Sequence, residues 1–139
     1  MENGDVLKLE AVNENLEKVI DFVDAHLENS GCSGKVRNHI ELSVEEIFVN
    51  IASYAYRPGI GPVTVKVETD RDNPSVTIEF ADSGVPYNPL EKTDPDVSAT
   101  ADERAIGGLG IFLVKKTMDN VEYSFRDGQN ILRISKKLD

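Results

Sequence analysis

Residues 40–55 read Ile40-Glu41-Leu42-Ser43-Val44-Glu45-Glu46-Ile47-Phe48-Val49-Asn50-Ile51-Ala52-Ser53-Tyr54-Ala55. Ile40, Val44, Ile47, Phe48, Ile51 and Ala55 recur in steps of three and four, the spacing of one face of an α-helix. The helix is expected from about Ser33 to Tyr56, where Pro58 and Gly59 stop it. Glu46 and Asn50 interrupt the pattern. Four residues apart, they share one helix face a turn from each other, and that row lies beside the apolar stripe. A carboxylate and an amide at the edge of a core need partners. A hard divalent cation is one solution, since it takes carboxylate and amide oxygens and keeps several waters. A surface glutamate with a turn-bonding asparagine is the other.

Upstream, Leu16, Val19, Ile20, Phe22, Val23 and Leu27 make a second amphipathic helix from Asn13, its expected N-cap, to Leu27. Val6–Leu9 reads as a short strand. Downstream, Val63, Val65 and Val67 alternate with Thr64, Lys66 and Glu68, and Val76, Ile78 and Phe80 alternate with Thr77 and Glu79. Period two with one apolar face predicts antiparallel strands covered on one side. Periodicity is absent from 82–107, a stretch too long for a simple connection in a compact domain. A third helix is expected from Gly108-Leu109-Gly110 to about Asp119. A hairpin closes the chain: Val121, Tyr123 and Phe125, the turn Asp127-Gly128, then Leu132 and Ile134. Strands that follow one another without crossovers favour an α+β fold, with about three helices on one face of a mixed, mainly antiparallel sheet.

The chain has 139 residues, 15 Lys+Arg against 25 Asp+Glu and a formal net charge of -10. Its length suits one domain, 1–139. The acidity argues against non-specific nucleic-acid binding and against docking on anionic membranes. The one cysteine, Cys32, excludes an intrachain disulfide and a cysteine-based zinc site. The polar, acidic start does not read as a signal peptide, and no apolar run approaches the ~20 residues of a membrane span. A soluble, cytoplasmic protein is expected. Residues 1–30 hold eight acids and two bases, whereas 104–139 hold four acids and seven bases. This asymmetry fits two solvated faces, or a basic end near a bound anion and an acidic end, with Asp21, Asp24 and Glu28, open to a partner.

Two further signals carry chemistry. Asp82 ends a strand and is followed by Ser83-Gly84-Val85-Pro86. A carboxylate there can accept a hydrogen bond in a pocket, and the exocyclic amine of adenine is a suitable donor. The same residues also suit an ordinary turn. Gly107-Gly108-Leu109-Gly110 opens a helix, where free backbone N–H groups and the helix dipole favour phosphate. Arg104 is placed to add charge-assisted hydrogen bonds. No Gly-Lys-Ser/Thr follows, so this is not a Walker A loop, and no strand precedes it, so it is not a Rossmann turn. A plain glycine hinge is the alternative.

Taken in order, these segments resemble the GHKL ATPase superfamily with its Bergerat nucleotide-binding fold, a two-layer sandwich. Within it they look most like bacterial anti-sigma-factor serine/threonine kinases. Glu46-Ile47-Phe48-Val49-Asn50 resembles the N box, Asp82-Ser83-Gly84-Val85-Pro86 the G1 box, and Gly107 to Val114 the G2 box. The resemblance covers about residues 10–138. It implies that ATP and Mg²⁺ bind, with Asn50 on the metal and Glu46 as the general base. Asp82 would recognise adenine beside Gly84. Residues from about 90 to 106 would form the ATP lid. Gly108, Leu109 and Gly110 would face the phosphates, with Arg104 near the γ-phosphate. The implied substrate is a Ser or Thr of a STAS-domain anti-sigma-factor antagonist, and the implied captive a sigma factor or other regulator. A homodimer is a family expectation. Asn88 departs from the branch, which commonly has an acid there.

Three readings follow: a protein kinase, an ATP-dependent binding module without turnover, and a detached histidine-kinase catalytic domain. The third usually needs a dimerisation segment carrying a phosphoacceptor histidine, for which the chain has no room. His39 lies within the second helix instead.

Overall fold

The computed structural model describes residues 2–28, 30–56, 58–91 and 108–138. Strand β1 (Glu2–Glu10) leads through a 3-10 turn (Asn13–Asn15) into helix α1 (Leu16–Leu27) and then helix α2 (Gly34–Tyr54). Strands β2 (Pro62–Asp70) and β3 (Ser75–Asp82) follow. After a short 3-10 turn (Pro89–Glu91) come helix α3 (Gly108–Thr117) and strands β4 (Asn120–Arg126) and β5 (Gln129–Lys137). The α+β expectation holds.

The five strands lie in the order β1-β2-β3-β5-β4. All four pairings are antiparallel, so the parallel pairing of a mixed sheet does not occur among the described strands. For two of the four the reason is local: β2 meets β3 and β4 meets β5 across short turns, and only antiparallel neighbours can be joined so. Asp127 and Gly128, both at positive φ, make the second turn. β1 is longer than Val6–Leu9 because it pairs along the whole of β2, from Glu2 opposite Asp70 to Glu10 opposite Pro62.

The helices cover one face of the sheet, α2 packing between α1 and α3. Val63, Val65, Val67, Val76, Ile78, Phe80, Leu132 and Ile134 point into this layer and are buried. They meet Val19, Val23 and Leu27 of α1, and Ile40, Val44, Ile47 and Phe48 of α2. A fully buried Val, Ile or Phe contributes roughly 1.5–3 kcal/mol, so this layer fixes the helices that carry the candidate site. The other face of the sheet bears Lys66, Glu68, Glu79 and Arg133, joined in surface ion pairs.

Two local expectations change. Asn13 is not the cap of α1. It lies in the 3-10 turn, and Asn15, at the cap position, makes no capping bond: its backbone is helical (φ -93°, ψ -1°) rather than extended, and its Nδ2 donates back to the Glu10 carbonyl at 2.9 Å. Helix α2 is capped by Ser33, whose Oγ accepts from the Val36 N–H at 3.2 Å. Asp24 is not simply part of a free acidic face either, since its carboxylate pairs with Arg37 of α2 at 3.2 Å.

Candidate functional site

Each core-facing row of β3 and β5 ends in a polar residue. Val76, Ile78 and Phe80 are followed by Asp82, and Ile134 and Leu132 by Asn130. Asp82 and Asn130 are direct partners across the two strands, and both are buried, at 5% and 7% exposure. Beside them opens a cavity of about 490 Å³. Ile47, Ile51, Phe80 and Leu132 give it apolar walls, Tyr54, Tyr87 and Tyr123 aromatic ones, and Asn50, Asp82 and Asn130 its polar groups. A concave, largely apolar chamber with a few convergent polar atoms is the usual form of a small-molecule site.

The Asp82 carboxylate is half committed. Its Oδ1 accepts from the Gly84 N–H at 2.9 Å and from Asn130 Nδ2 at 3.0 Å. Among the described residues Oδ2 has no protein partner, which leaves it an acceptor for a ligand donor. The loop after Asp82 is tied to the core on three sides. The Val85 N–H donates to the Ala55 carbonyl at 3.0 Å, at the end of α2. The Ser83 N–H donates to the Tyr56 hydroxyl at 2.7 Å, and that hydroxyl donates to the Pro62 carbonyl at 2.6 Å. Asn130 supplies the third side, donating to the Val85 carbonyl at 3.0 Å and accepting from the Tyr87 N–H at 3.0 Å.

Two glycines permit this closeness. A Cβ on Gly84 would come within 2.2 Å of the Ala55 carbonyl oxygen, so only glycine fits where the loop crosses α2. A Cβ on Gly61 would meet the Tyr56 ring at 2.4 Å, so Gly61 is the seat of that ring.

Asn50 is half-buried on the cavity wall, and its amide bonds to no other described residue. Its oxygen is a hard donor of the type Mg²⁺ takes, and Mg²⁺ is commonly held by one or two protein oxygens together with phosphates and water. No cluster of three His, Cys, Asp or Glu side chains that could hold a metal occurs among the described residues. Glu46, one turn before Asn50, is exposed outside the cavity. Partial burial pushes its carboxyl above the usual glutamate range, and the neighbouring charge of Glu45 adds to this. Gly108, Leu109 and Gly110 form the first turn of α3, as the sequence predicts. The α3 helix is set against α2 through Ser43 Oγ and Thr117 Oγ1, 3.5 Å apart. Arg104, Gly107 and the lid from residue 92 onward lie outside the described residues.

Of the residues that the sequence singles out, the structure brings Asp82 and Asn50 to one cavity, with Gly84 in the loop beside Asp82 and Glu46 one turn of α2 from Asn50, outside the lining. Sequence reasoning misses Asn130 and Tyr56. The signal for Asn130 is a polar residue in core-facing register with Leu132 and Ile134.

Residues 9–136 match the family described as the histidine kinase-like ATPase domain. The chain belongs to that family. Among curated relatives, the chain is 29% identical over 103 residues to the serine/threonine-protein kinase BtrW of Bordetella bronchiseptica, covering 74% of this chain and 72% of that protein. It is 26% identical over 97 residues to the serine-protein kinase RsbW of Bacillus mycoides, covering 67% of this chain and 59% of that protein. Among solved structures, it superposes on part of the crystal structure of the RsbU and RsbW domains of Rv1364c from Mycobacterium tuberculosis. The TM-score is 0.69 at 13% identity, covering 98% of this chain and 32% of that one, a likeness of fold. Among the described residues, no helix of this histidine kinase-like ATPase domain is long and apolar enough to cross a membrane.

Proposed function

We propose that this protein is an ATP-dependent serine/threonine kinase of the anti-sigma-factor type. It transfers the γ-phosphate of ATP to a Ser or Thr of a STAS-domain antagonist in the cytoplasm, and it sequesters a sigma factor or other regulator. The observation that carries this reading is the half-committed Asp82. One oxygen is fixed by two donors, and the other is left for the amino group of adenine inside a cavity walled by apolar and aromatic side chains. The kinase names of the relatives BtrW and RsbW support the same reading.

Within it, the roles run along α2 outward from the base. Asp82 accepts from the adenine amine, and Gly84 lets the loop lie against α2. Asn50 offers its amide oxygen to Mg²⁺. When bound, that ion neutralises charge on the phosphates. Gly108, Leu109 and Gly110 present N–H groups of the first turn of α3 to the same anion, and Arg104 adds a cation near the γ-phosphate. Glu46 takes the proton of the acceptor hydroxyl as its oxygen bonds to the γ-phosphorus and the bond to the β–γ bridging oxygen breaks, releasing ADP. A carboxyl held above the usual glutamate range is a stronger base once ionised, which suits this role.

The test is incubation with labelled ATP and a STAS-domain protein. Label is expected on a Ser or Thr of the partner and is expected to be lost with Glu46→Gln. Capture of the partner without any label would favour a binding module in which ATP only sets the conformation.

A further inference from the structure

Asn130 is the most fully engaged side chain near the cavity. Its Nδ2 donates to Asp82 Oδ1 at 3.0 Å and to the Val85 carbonyl at 3.0 Å, with the Gly84 carbonyl at 3.5 Å. Its Oδ1 accepts from the Tyr87 N–H at 3.0 Å and from the Tyr123 hydroxyl. The amide orientation follows from these partners: the nitrogen faces acceptors only and the oxygen faces donors only. Both donors and both lone pairs are spent within the protein, so nothing is left over for a ligand.

This arrangement joins three elements. Asp82 ends β3, Val85 and Tyr87 belong to the loop over the cavity, and Tyr123 lies on β4. Asn130 also brings an N–H to the carboxylate oxygen that the Gly84 N–H already bonds. Two donors on Oδ1 hold the carboxylate plane and leave Oδ2 toward the cavity. With one donor removed, a buried carboxylate is free to turn about its terminal torsion, which is broad for aspartate.

We propose that Asn130 is a positioning residue for base selection. It does not touch the nucleotide. It holds Asp82 so that Oδ2 meets an exocyclic amine, and thereby makes the cavity select a purine carrying an amino group over one lacking it. This rests on the reading of the cavity as an adenine site and adds to it the residue that sets its selectivity.

The test compares two ligands on the full chain by calorimetry: ATP, and purine riboside 5′-triphosphate, which differs only in lacking the exocyclic amine. The wild type is expected to prefer ATP by about tenfold or more, the worth of one charge-assisted hydrogen bond. In Asn130→Ala, ATP affinity is expected to fall by about tenfold while affinity for the amine-free analogue changes by less than about twofold. A role confined to holding the loop would weaken both ligands equally and overturn the proposal. Asn130→Asp, nearly isosteric, keeps the acceptor for Tyr87 and Tyr123 but turns a carboxylate oxygen toward Asp82. It is expected to lose the preference too, with a thermal melt confirming that it folds. Retained preference for ATP in either folded variant would overturn the role of Asn130. A wild type that binds both ligands equally would instead overturn the adenine reading itself.

Discussion

At the inner end of the cavity Asp82 is 5% exposed, and the loop beside it is held by Ala55, Tyr56 and Asn130. At the outer end Glu46 is exposed, and Asn50 bonds to no other described residue. The same helix, α2, runs between them. The inner end is organised in advance: its donors and acceptors are paired within the protein, leaving one oxygen for a ligand. At the outer end the side chains are placed but unpaired with described residues, which under the proposed reading leaves them for phosphate, metal and the acceptor hydroxyl. Under the proposed function, recognition and transfer therefore respond to different substitutions, and ATP affinity and turnover are expected to be lost separately.

The largest effect is expected at the outer end. Glu46→Gln removes the proposed base while keeping size and helix position. Turnover should fall by about 10²–10⁴-fold, the usual contribution of a positioned general base. ATP affinity measured by calorimetry should stay within about twofold, since Glu46 lies outside the cavity. A parallel loss of affinity would join the two ends that the structure separates.

Gly84→Ala should do the reverse. The new Cβ would sit 2.2 Å from the Ala55 carbonyl oxygen, which is backbone and cannot swing away. The loop must lift, and with it go the Val85–Ala55 bond and the Gly84 donor to Asp82. Losing two such bonds at about 1.5 kcal/mol each corresponds to roughly a 100-fold fall in ATP affinity. Overpacking adds about 1–3 kcal/mol of lost stability, visible as a lower Tm.

Most of the framework behind this comparison is legible in the residues. The steps of three and four in α1 and α2 and the alternation in β2 and β3 give helices on one face of a sheet, because burial on one side enforces those periods. What escapes is polar and local. Asn13 resembles a cap by residue type, yet the chain makes a 3-10 turn there and Asn15 reaches back to Glu10. Asn130 draws no notice beside the Asp127-Gly128 turn, although its register with Leu132 and Ile134 points it inward. Tyr56 looks like the end of a helical stripe, and only the fold brings its hydroxyl to Ser83, 27 positions on. The candidate site is legible where a single residue type marks a position on the cavity wall, as at Asp82 and Asn50. It is illegible where residues distant in sequence hold that residue in place. Arg104 and most of the lid fall outside the described residues.

A smaller effect is expected at the seat of the loop. Tyr56→Phe removes the hydroxyl that links Ser83 to Pro62 but leaves the ring on Gly61. The Ser83 N–H is near solvent and regains a water, so the net cost is about 1 kcal/mol, or about fivefold in ATP affinity. Gly61→Ala displaces the ring itself and should lower both affinity and Tm further. Turnover at saturating ATP should be unchanged in Tyr56→Phe, since Tyr56 belongs to the inner end.

The smallest effect concerns charge alone. Glu46 is held above the usual glutamate range first by partial burial and second by Glu45. A base must be ionised, so turnover should rise with pH through that raised value. Glu45→Gln removes the like charge but not the burial, and the acid limb of the rate profile should move toward lower pH without returning fully to the ordinary glutamate value. The sign for stability follows from the same shift. The fold favours the protonated form, so it binds more protons than the unfolded chain between the ordinary and the raised value, and stability falls slightly as pH rises through that window. Glu45→Gln should narrow the window from its upper edge. ATP affinity at neutral pH should not change, because Glu45 and Glu46 lie outside the lining of the cavity that holds Asp82. An acid limb that stays in place in Glu45→Gln would assign the limb to a group other than Glu46.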